Sequence, residues 1–586
     1  MALGTPSESP AVVVKEIDLT GGVPNVQSTT GAIVGNFRWG PVEQRVKVDN
    51  EATLVDNFAT PDSANTVDFH TASYFLRYSS ALQVVREVTA VAKNAVSSVG
   101  QTAAATPPAE LVKNENDFEN QEAALDSDSH TFIAKYPGLL GNSLRVSLCP
   151  ADSASSTTFS DWTYASSFDK APATSTYATN RTATNDEVHV VVVDKNGEFT
   201  GTSGTVLETF PFMSVGKNAQ NPDGTNNFVK DVINERSEYV WMAGFDSDFT
   251  AAGAGTDIDS GDNFIQDIAN IAVSNHDFSL GVNSGVLGTS EQLLGFDLME
   301  DPDQVEIDFL IAPGMVSSAD QITVVNDLVS TAQSLRKDCV VVASPARSDV
   351  VNQTSAATAV TNVVTTANGF TNSSYLVADN NYLKIYDKYN DQYIHIPAAS
   401  STAGIMAATD LNRAPWFSPA GQRRGQYLGI TGLAYTPNKS QRDTLYKVDV
   451  NPIANIPGQG TLLYGDKTAL GRPSAFDRIN VRRLFLVLER AIGRAAQQVL
   501  FEFNDEFTRA EFVNIVEPVL REVKGRRGIT DFRVVCDETN NTAAIVDRNE
   551  FIANIFIKPA RSINYVTLNF VAVRTGVDFE EVVGTV

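Results

Sequence analysis

Apolar residues recur at steps of three and four from Leu484 through Leu488, Ile492, Ala495 and Val499 to Phe503. That spacing predicts one face of a helix from about Val481 to Phe503. A second helix is expected from Thr508, where Thr-Arg-Ala-Glu has the form of a capping box linking Thr508 and Glu511. Phe512, Ile515, Val516, Val519 and Val523 would form its apolar face and Gly525 its stop, with Lys524, Arg526 and Arg527 near the negative end of its dipole. A strand over Phe532–Cys536 follows.

Upstream, the pattern alternates between strand and helix. Gly31–Gly35 is a buried-strand candidate, followed by helical runs at about Asn50–Phe58 and Asp68–Ser79 and a strand at Leu82–Val88, the start of an α/β layer. Val305–Ala312 is an apolar strand. Ser317 or Ser318 can cap a helix carrying Ile322, Val325, Leu328, Val329, Ala332 and Leu335, and Asp338–Ser344 is the next strand, a βαβ unit that is parallel and right-handed by default. Tyr375–Ala378 and Tyr382–Tyr386 add strands around Asp379-Asn380-Asn381. In between, Ala90–Asp128 and Phe245–Leu298 are rich in small, polar and acidic residues and read as surface-facing, while Ala151–Asn185 reads as Ser/Thr-rich loop. Glu187–Asp194 and Val206–Val215 are strands around the Asn196-Gly197 turn signal, with a helix near Asn227–Arg236. Both chain ends are strand-like: Pro10–Asp18, with Val12, Val13, Val14 and Ile17, and Ile563–Arg574, with Val571 and Val573, then Val577 and an acidic tail.

Charge sharpens this division. The net charge of −26 is uneven. From Asp410 to Val586 there are 23 basic and 20 acidic residues, which leaves 21 basic and 50 acidic in the first 409. An acidic exterior and a locally basic face that meets a partner would account for it, and the overall sign disfavours nucleic-acid binding. No run of about 18 apolar residues predicts a membrane-spanning helix, and the first residues do not have the form of a signal peptide. Cys149, Cys339 and Cys536 sit in or beside apolar runs and are expected to be buried free thiols, in keeping with a reducing cytoplasm.

Little in the chain suggests catalysis. Gly35 and Gly40 have the spacing of a phosphate loop, but Pro41-Val42 stands where Lys-Ser/Thr is needed. The five histidines, His70, His130, His189, His276 and His395, lie outside any glycine-rich elbow, and GxSxG is absent. Asp257–Asp262 lacks calcium-loop spacing. No catalytic residue, cofactor or metal is expected.

Two passages carry more than periodicity. GDKTALGRPSAFDRINVRRLF, at Gly465–Phe485, resembles the C-terminal domain of contractile tail sheath proteins, most closely those of T-even-like myophages. Ile396–Gly425, with Ala403-Gly404, Asp410, Trp416 and Pro419-Ala420-Gly421, resembles the passage leading into that domain. Arg38-Trp39-Gly40-Pro41 and the Pro-Gly…Gly-Asn turn within Tyr136–Leu148 resemble further landmarks.

The resemblance implies an architecture and a role. Residues 21–92 and 300–410 would form a subtilisin-like α/β domain, 93–299 an inserted β-rich outer region, and 411–574 an α+β inner domain facing a tube. Residues 1–20 and 575–586 would be arms. Copies of the chain would stack as hexameric rings around a tail tube protein, bounded by baseplate and tail terminator proteins, without inserting in a membrane. The rings would be assembled in the host cytoplasm, and contraction would drive the tube through the host envelope. Val12, Val13, Val14, Ile17, Val571, Val573 and Val577 would lie in strands donated to neighbouring subunits, and Arg482, Arg483, Arg490, Arg494, Lys524, Arg526 and Arg527 are candidates to face the tube. A bacterial contractile injection system sheath, or a hydrolase on the same α/β fold, are the alternatives.

Overall fold

The computed structural model describes residues 29–97, 110–127, 130–151, 159–264 and 273–563. The arm residues Val12, Val13, Val14, Ile17, Val571, Val573 and Val577 lie outside the described residues, as do both terminal strand candidates apart from Ile563. The chain divides into two compact units. Among the described residues, the larger takes those up to Pro415 and Pro419–Arg482; the smaller takes Trp416–Ser418 and those from Arg483 onward.

A seven-stranded sheet organises the larger unit. In spatial order its strands are Val450–Asn451, Leu376–Asp379, Val340–Ala343, Phe309–Ile311, Gly31–Gly35, Leu82–Arg86 and Arg45–Val48. All neighbours are parallel except the last pair. Helix Ser318–Ser330 joins Phe309–Ile311 to Val340–Ala343, and the Ser317 side chain caps it by accepting from the Asp320 amide, so the expected βαβ unit is present. The central strand GAIVG shows why both faces are covered. Alternate side chains of a strand point to opposite faces. Ala32 and Val34 pack with Phe296, Val324 and Leu328. On the other face, a Cβ on Gly31 or Gly35 would lie within 3 Å of Phe75 or Asp68 of helix Thr66–Leu76. A parallel sheet buried on both faces reads as an uninterrupted apolar run, which is how these strands read.

A second seven-stranded sheet, antiparallel throughout, runs in the order Thr205–Ser214, Glu187–Asp194, Leu144–Pro150, Ser274–Ser279, Val96–Ser97, Phe132–Ala134 and Val240–Met242. Tyr382–Asp387 joins neither large sheet; it pairs with Gln392–Pro397 and Gly432–Leu433.

Several expectations are corrected. Phe245–Leu298 is not surface decoration. Ser274–Ser279 is the middle strand of the second sheet, burying His276 and Phe278 while polar neighbours face out, and helix Thr289–Asp297 comes so close to the main sheet that a Cβ on Gly295 would lie 2.5 Å from Val34. A strand with one polar face carries too few apolar residues to stand out in sequence. Ala151–Asn185 is not simply loop: Trp162 is 5% exposed, donates to Ser147 Oγ and stacks on Phe168, which stacks on His189. Arg45–Val48, three of whose four side chains are not buried, is a strand the pattern did not mark.

In the smaller unit, helix Glu506–Gly525 packs on a hairpin of Ile529–Val535 and Asn554–Pro559. The preceding helix is Ile479–Gln497 and stops six residues before Phe503. The second helix starts at Glu506, because Asp505 takes the cap by accepting from the Thr508 amide at 2.8 Å. Aspartate is the better N-cap, and Thr508 falls in the first turn.

Candidate assembly surfaces

The landmark residues of the sequence reading are places where backbone segments come close. Arg86 is fully buried and donates to the carbonyls of Phe37, Gly40 and Pro137, so the Arg38–Pro41 turn and the Pro137–Gly138 turn share one guanidinium. Three carbonyls offset a charge that burial disfavours. Gly404 has no room for a Cβ, which would lie 2.5 Å from the Tyr78 ring. Gly421 turns with φ +88°, its amide bonding to the Leu463 carbonyl. In the smaller unit, Trp416 lies against Gly528, where a Cβ would come within 3 Å of the indole.

At the carboxyl ends of the parallel strands lies a buried polar node. Asp379 accepts from Ser344 Oγ at 2.9 Å, from Thr402 Oγ1 at 3.1 Å and from the Asn381 amide. Burial pushes its carboxyl up to about 7, against the lowering effect of those donors. Asn380 and Asn381 extend the network to Tyr435, Ile453 and the following strand. Ligands of open α/β sheets bind at this end of the strands; here it carries the buried side chains of Ser344, Asp379, Asn380, Asn381 and Thr402.

Three of the five histidines are held by neighbouring groups. His70 pairs with the buried Asp387 at 3.0 Å. His189 accepts from the Phe212 amide and lies 2.9 Å from the Lys170 carbonyl. Ser274 Oγ and Asp246 Oδ2 both approach His276, but at the same nitrogen, Nε2, at 3.2 and 3.6 Å. A nucleophile–base–orienter relay needs opposite ring nitrogens. The three cysteines are free and buried.

The seven basic candidates separate by exposure. Arg482 and Arg483 are 7% and 3% exposed. Arg482 donates to Ser374 Oγ and is sandwiched between the rings of Tyr375 and Phe476, 4.3 and 4.2 Å from their centroids. Arg490 and Arg494 are half-buried. Lys524, Arg526 and Arg527 are exposed at the end of helix Glu506–Gly525. Lys524 is 3.0 Å from Asp531, and Arg526 is 3.3 Å from Glu522.

One surface was missed in the sequence. Between the two long helices, Leu500, Phe501, Phe503 and Phe507 are 61, 105, 84 and 75% exposed. The sequence reading counted Phe503 as an extension of a helical stripe. The signal overlooked was the Asn504-Asp505 cap, which starts the second helix and leaves Phe503 in the connection between the two helices.

Comparison with known proteins bears on the whole chain. Residues 289–469 match the phage tail sheath protein central domain and 472–572 the phage tail sheath C-terminal domain. The tail sheath protein of Enterobacteria phage T4 is 32% identical, and that of Vibrio phage KVP40 31% identical, each match covering 98% of this chain and 99% of the relative. The tail sheath protein of Salmonella phage ViI is 31% identical over 99% of this chain and 98% of its own. The crystal structure of a sheath tail protein of Listeria innocua shares the fold, with a TM-score of 0.54 over 92% of this chain and 94% of that one at 12% identity. A sheath tail protein of Desulfitobacterium hafniense does so with a TM-score of 0.51, covering 94% of this chain and all of the other at 11% identity. With relatives more than 30% identical from end to end, and a mixed α/β fold of the same kind, the chain belongs to the tail sheath proteins of myophages.

Proposed function

We propose that this chain is the structural, non-enzymatic subunit of a contractile tail sheath. It polymerises as stacked hexameric rings around the tail tube, and contracts to drive the tube through the host envelope. The end-to-end match to tail sheath proteins is the observation that carries the reading. The subunits assemble in the host cytoplasm and become part of the virion tail, bounded by baseplate and tail terminator proteins. They contact neither nucleic acid nor membrane. The doubly covered parallel sheet, apart from its edge strand Val450–Asn451, belongs to the subtilisin-like domain (21–92 and 300–410). Residues 93–299 form the outer region, and 411–574 the inner, tube-facing domain.

In this reading the arms at 1–20 and 575–586 add strands to sheets of neighbouring copies. The hairpin Ile529–Val535/Asn554–Pro559 supports that: among the described residues it is a two-stranded sheet, and such a sheet presents unpaired edge groups that invite another strand. Main-chain ladders do not depend on side-chain fit, so neighbours can rotate while arms remain paired. Lys524, Arg526 and Arg527 are the basic candidates exposed enough to meet a tube. Purified protein imaged by negative stain, with and without tubes, tests the reading. Rings or striated tubes are expected; particles that stay monomeric at every concentration, even on tubes, would overturn it.

A further inference from the structure

The loop between helices Ile479–Gln497 and Glu506–Gly525 leaves more hydrophobic surface in water than a monomer needs. Leu500, Phe501, Phe503 and Phe507 are all more than half exposed within eight residues. Contiguous exposed apolar groups rimmed by polar ones mark interaction sites. Phe501 also holds a left-handed backbone, φ +71°. A bulky residue there is strained, and such strain collects at functional positions. The rim is acidic: Glu502, Asp505 and Glu506 are exposed, and no basic residue lies between Leu500 and Phe507. The surface that complements this tip is cationic and apolar, which excludes nucleic acid.

The larger unit carries such a surface. Arg413 and Arg423 are exposed and Arg424 is half-buried. The three are close enough that, after burial, Arg413 and Arg423 are what lower the Arg424 guanidinium's hold on its proton. Leu411, two residues before Arg413, is 58% exposed, and Leu428, four residues after Arg424, is 48% exposed. Guanidinium groups stack on aromatic faces and pair with carboxylates at the same time, and arginine and aromatic residues are the groups on which interfaces most depend.

We propose that the aromatic–acidic tip at Leu500–Phe507 of one copy docks on the Arg413–Arg423–Arg424 patch of a second copy. Tip and patch are different surfaces of the same chain, so the contact is heterologous. Such contacts generate rings or helical filaments, where a self-complementary patch would stop at a dimer. The proposal rests on the self-assembly reading above and names one contact within it.

Two experiments on the full chain test it. In the first, two differently tagged copies carrying Phe503→Cys and Arg423→Cys are mixed and treated with a short bismaleimide. A covalent heterodimer bearing both tags is expected. Its absence, or a link formed only within one chain carrying both substitutions, overturns the proposal. In the second, Arg413→Glu/Arg423→Glu and Glu502→Arg/Glu506→Arg variants, checked by melting to be folded, are assayed for sedimenting polymer. Each alone should lose about tenfold or more, the size of effect that about 1.4 kcal/mol produces, and mixing the two should restore most of it. If wild-type chains polymerise and the variants match them, the contact is wrong while the assembly reading stands. If wild-type chains neither polymerise nor cross-link, both fail.

Discussion

The indole Nε1 of Trp416 donates to the carbonyl of Arg526 at 3.1 Å, and the guanidinium of the same arginine lies 5.2 Å from the indole centroid. One aromatic side chain thus fixes both the backbone and the side chain of Arg526, just past the end of helix Glu506–Gly525, where helices leave carbonyls unsatisfied. Trp416→Phe keeps most of the packing and loses the donor, an expected cost of about 1 kcal/mol. Trp416→Ala also empties the space against Gly528, and about 3–5 kcal/mol is expected. Thermal unfolding distinguishes them; an alanine variant that melts like the parent would show the contact to be incidental.

The Asp379 node gives a pH dependence with a definite sign. Its folded-state pKa, about 7, is raised by burial above the ordinary aspartate value. The folded state therefore binds the proton more tightly. The stability contributed by this group is fully present below the unfolded pKa, declines as the pH climbs, and is gone once the pH passes the folded value. Asp68, raised to about 6, and Glu87, raised to about 8, act in the same direction, again through burial. His276 opposes them: burial lowers it to about 4, so its contribution is lost as the pH falls through the range from its ordinary value to that one. Asp379→Asn cannot ionise. Relative to wild type its melting temperature should rise as the pH goes from 5 to 8. A difference that stays flat over that range would mean Asp379 does not titrate there.

How much of this was legible in the chain depended on which residues face water. Strands buried on both faces read directly: Gly31–Gly35 and Glu187–Asp194 match their expected bounds to the residue. Helices with strong caps, such as the one behind Ser317, were placed within a residue or two. Ser274–Ser279 was invisible because His276 and Phe278 alone carry its buried side, and Trp162 was hidden among serines and threonines whose composition said loop. Arg482 looked like surface because it is charged and off the apolar stripe, yet two aromatic rings and Ser374 Oγ hold it inside, a compensation no helical wheel records. The family resemblance lay in short motifs, and those proved to be glycines and aromatics where backbones meet.

The second sheet depends on a segment that reads as Ser/Thr-rich loop. Because Trp162 stacks on Phe168 and Phe168 on His189, deletion of Ala151–Asn185 would expose Cys149, Val191 and Val193 as well. The deletion is expected to unfold this sheet, and Trp162→Ala alone should cost about 3–5 kcal/mol. Limited proteolysis that leaves the deleted protein as resistant as the parent would contradict this.

Lys524, Arg526 and Arg527 already have local uses for two of their charges, in Asp531 and Glu522, at exposed sites where solvent screens an ion pair and little stability comes from it. Replacing all three with Ser should therefore leave melting nearly unchanged. If the group faces the tube, the same replacement weakens tube-templated assembly, and the defect alters with salt because screened charges carry the contact. Sheaths of unchanged length on wild-type tubes, at low and high salt alike, would remove this end of the helix from the tube interface.

The arms provide the last test. A strand paired within its own chain stabilises the monomer, whereas a donated strand stabilises only the polymer. An arm offering about four to six ladder hydrogen bonds, at about 0.5–1.5 kcal/mol net apiece, would contribute several kcal/mol per contact. The acidic Asp578, Glu580 and Glu581 would restrain an unpaired end from aggregating. Removing residues 1–18, and with them Val12, Val13, Val14 and Ile17, is expected to leave a soluble monomer with an almost unchanged melting temperature and no long sheaths. Removing Gly576–Val586 should do the same. The N-terminal truncation decides between the two cases: if that monomer melts much earlier than the full chain, Pro10–Asp18 pairs at home, and exchange of this arm between subunits is wrong.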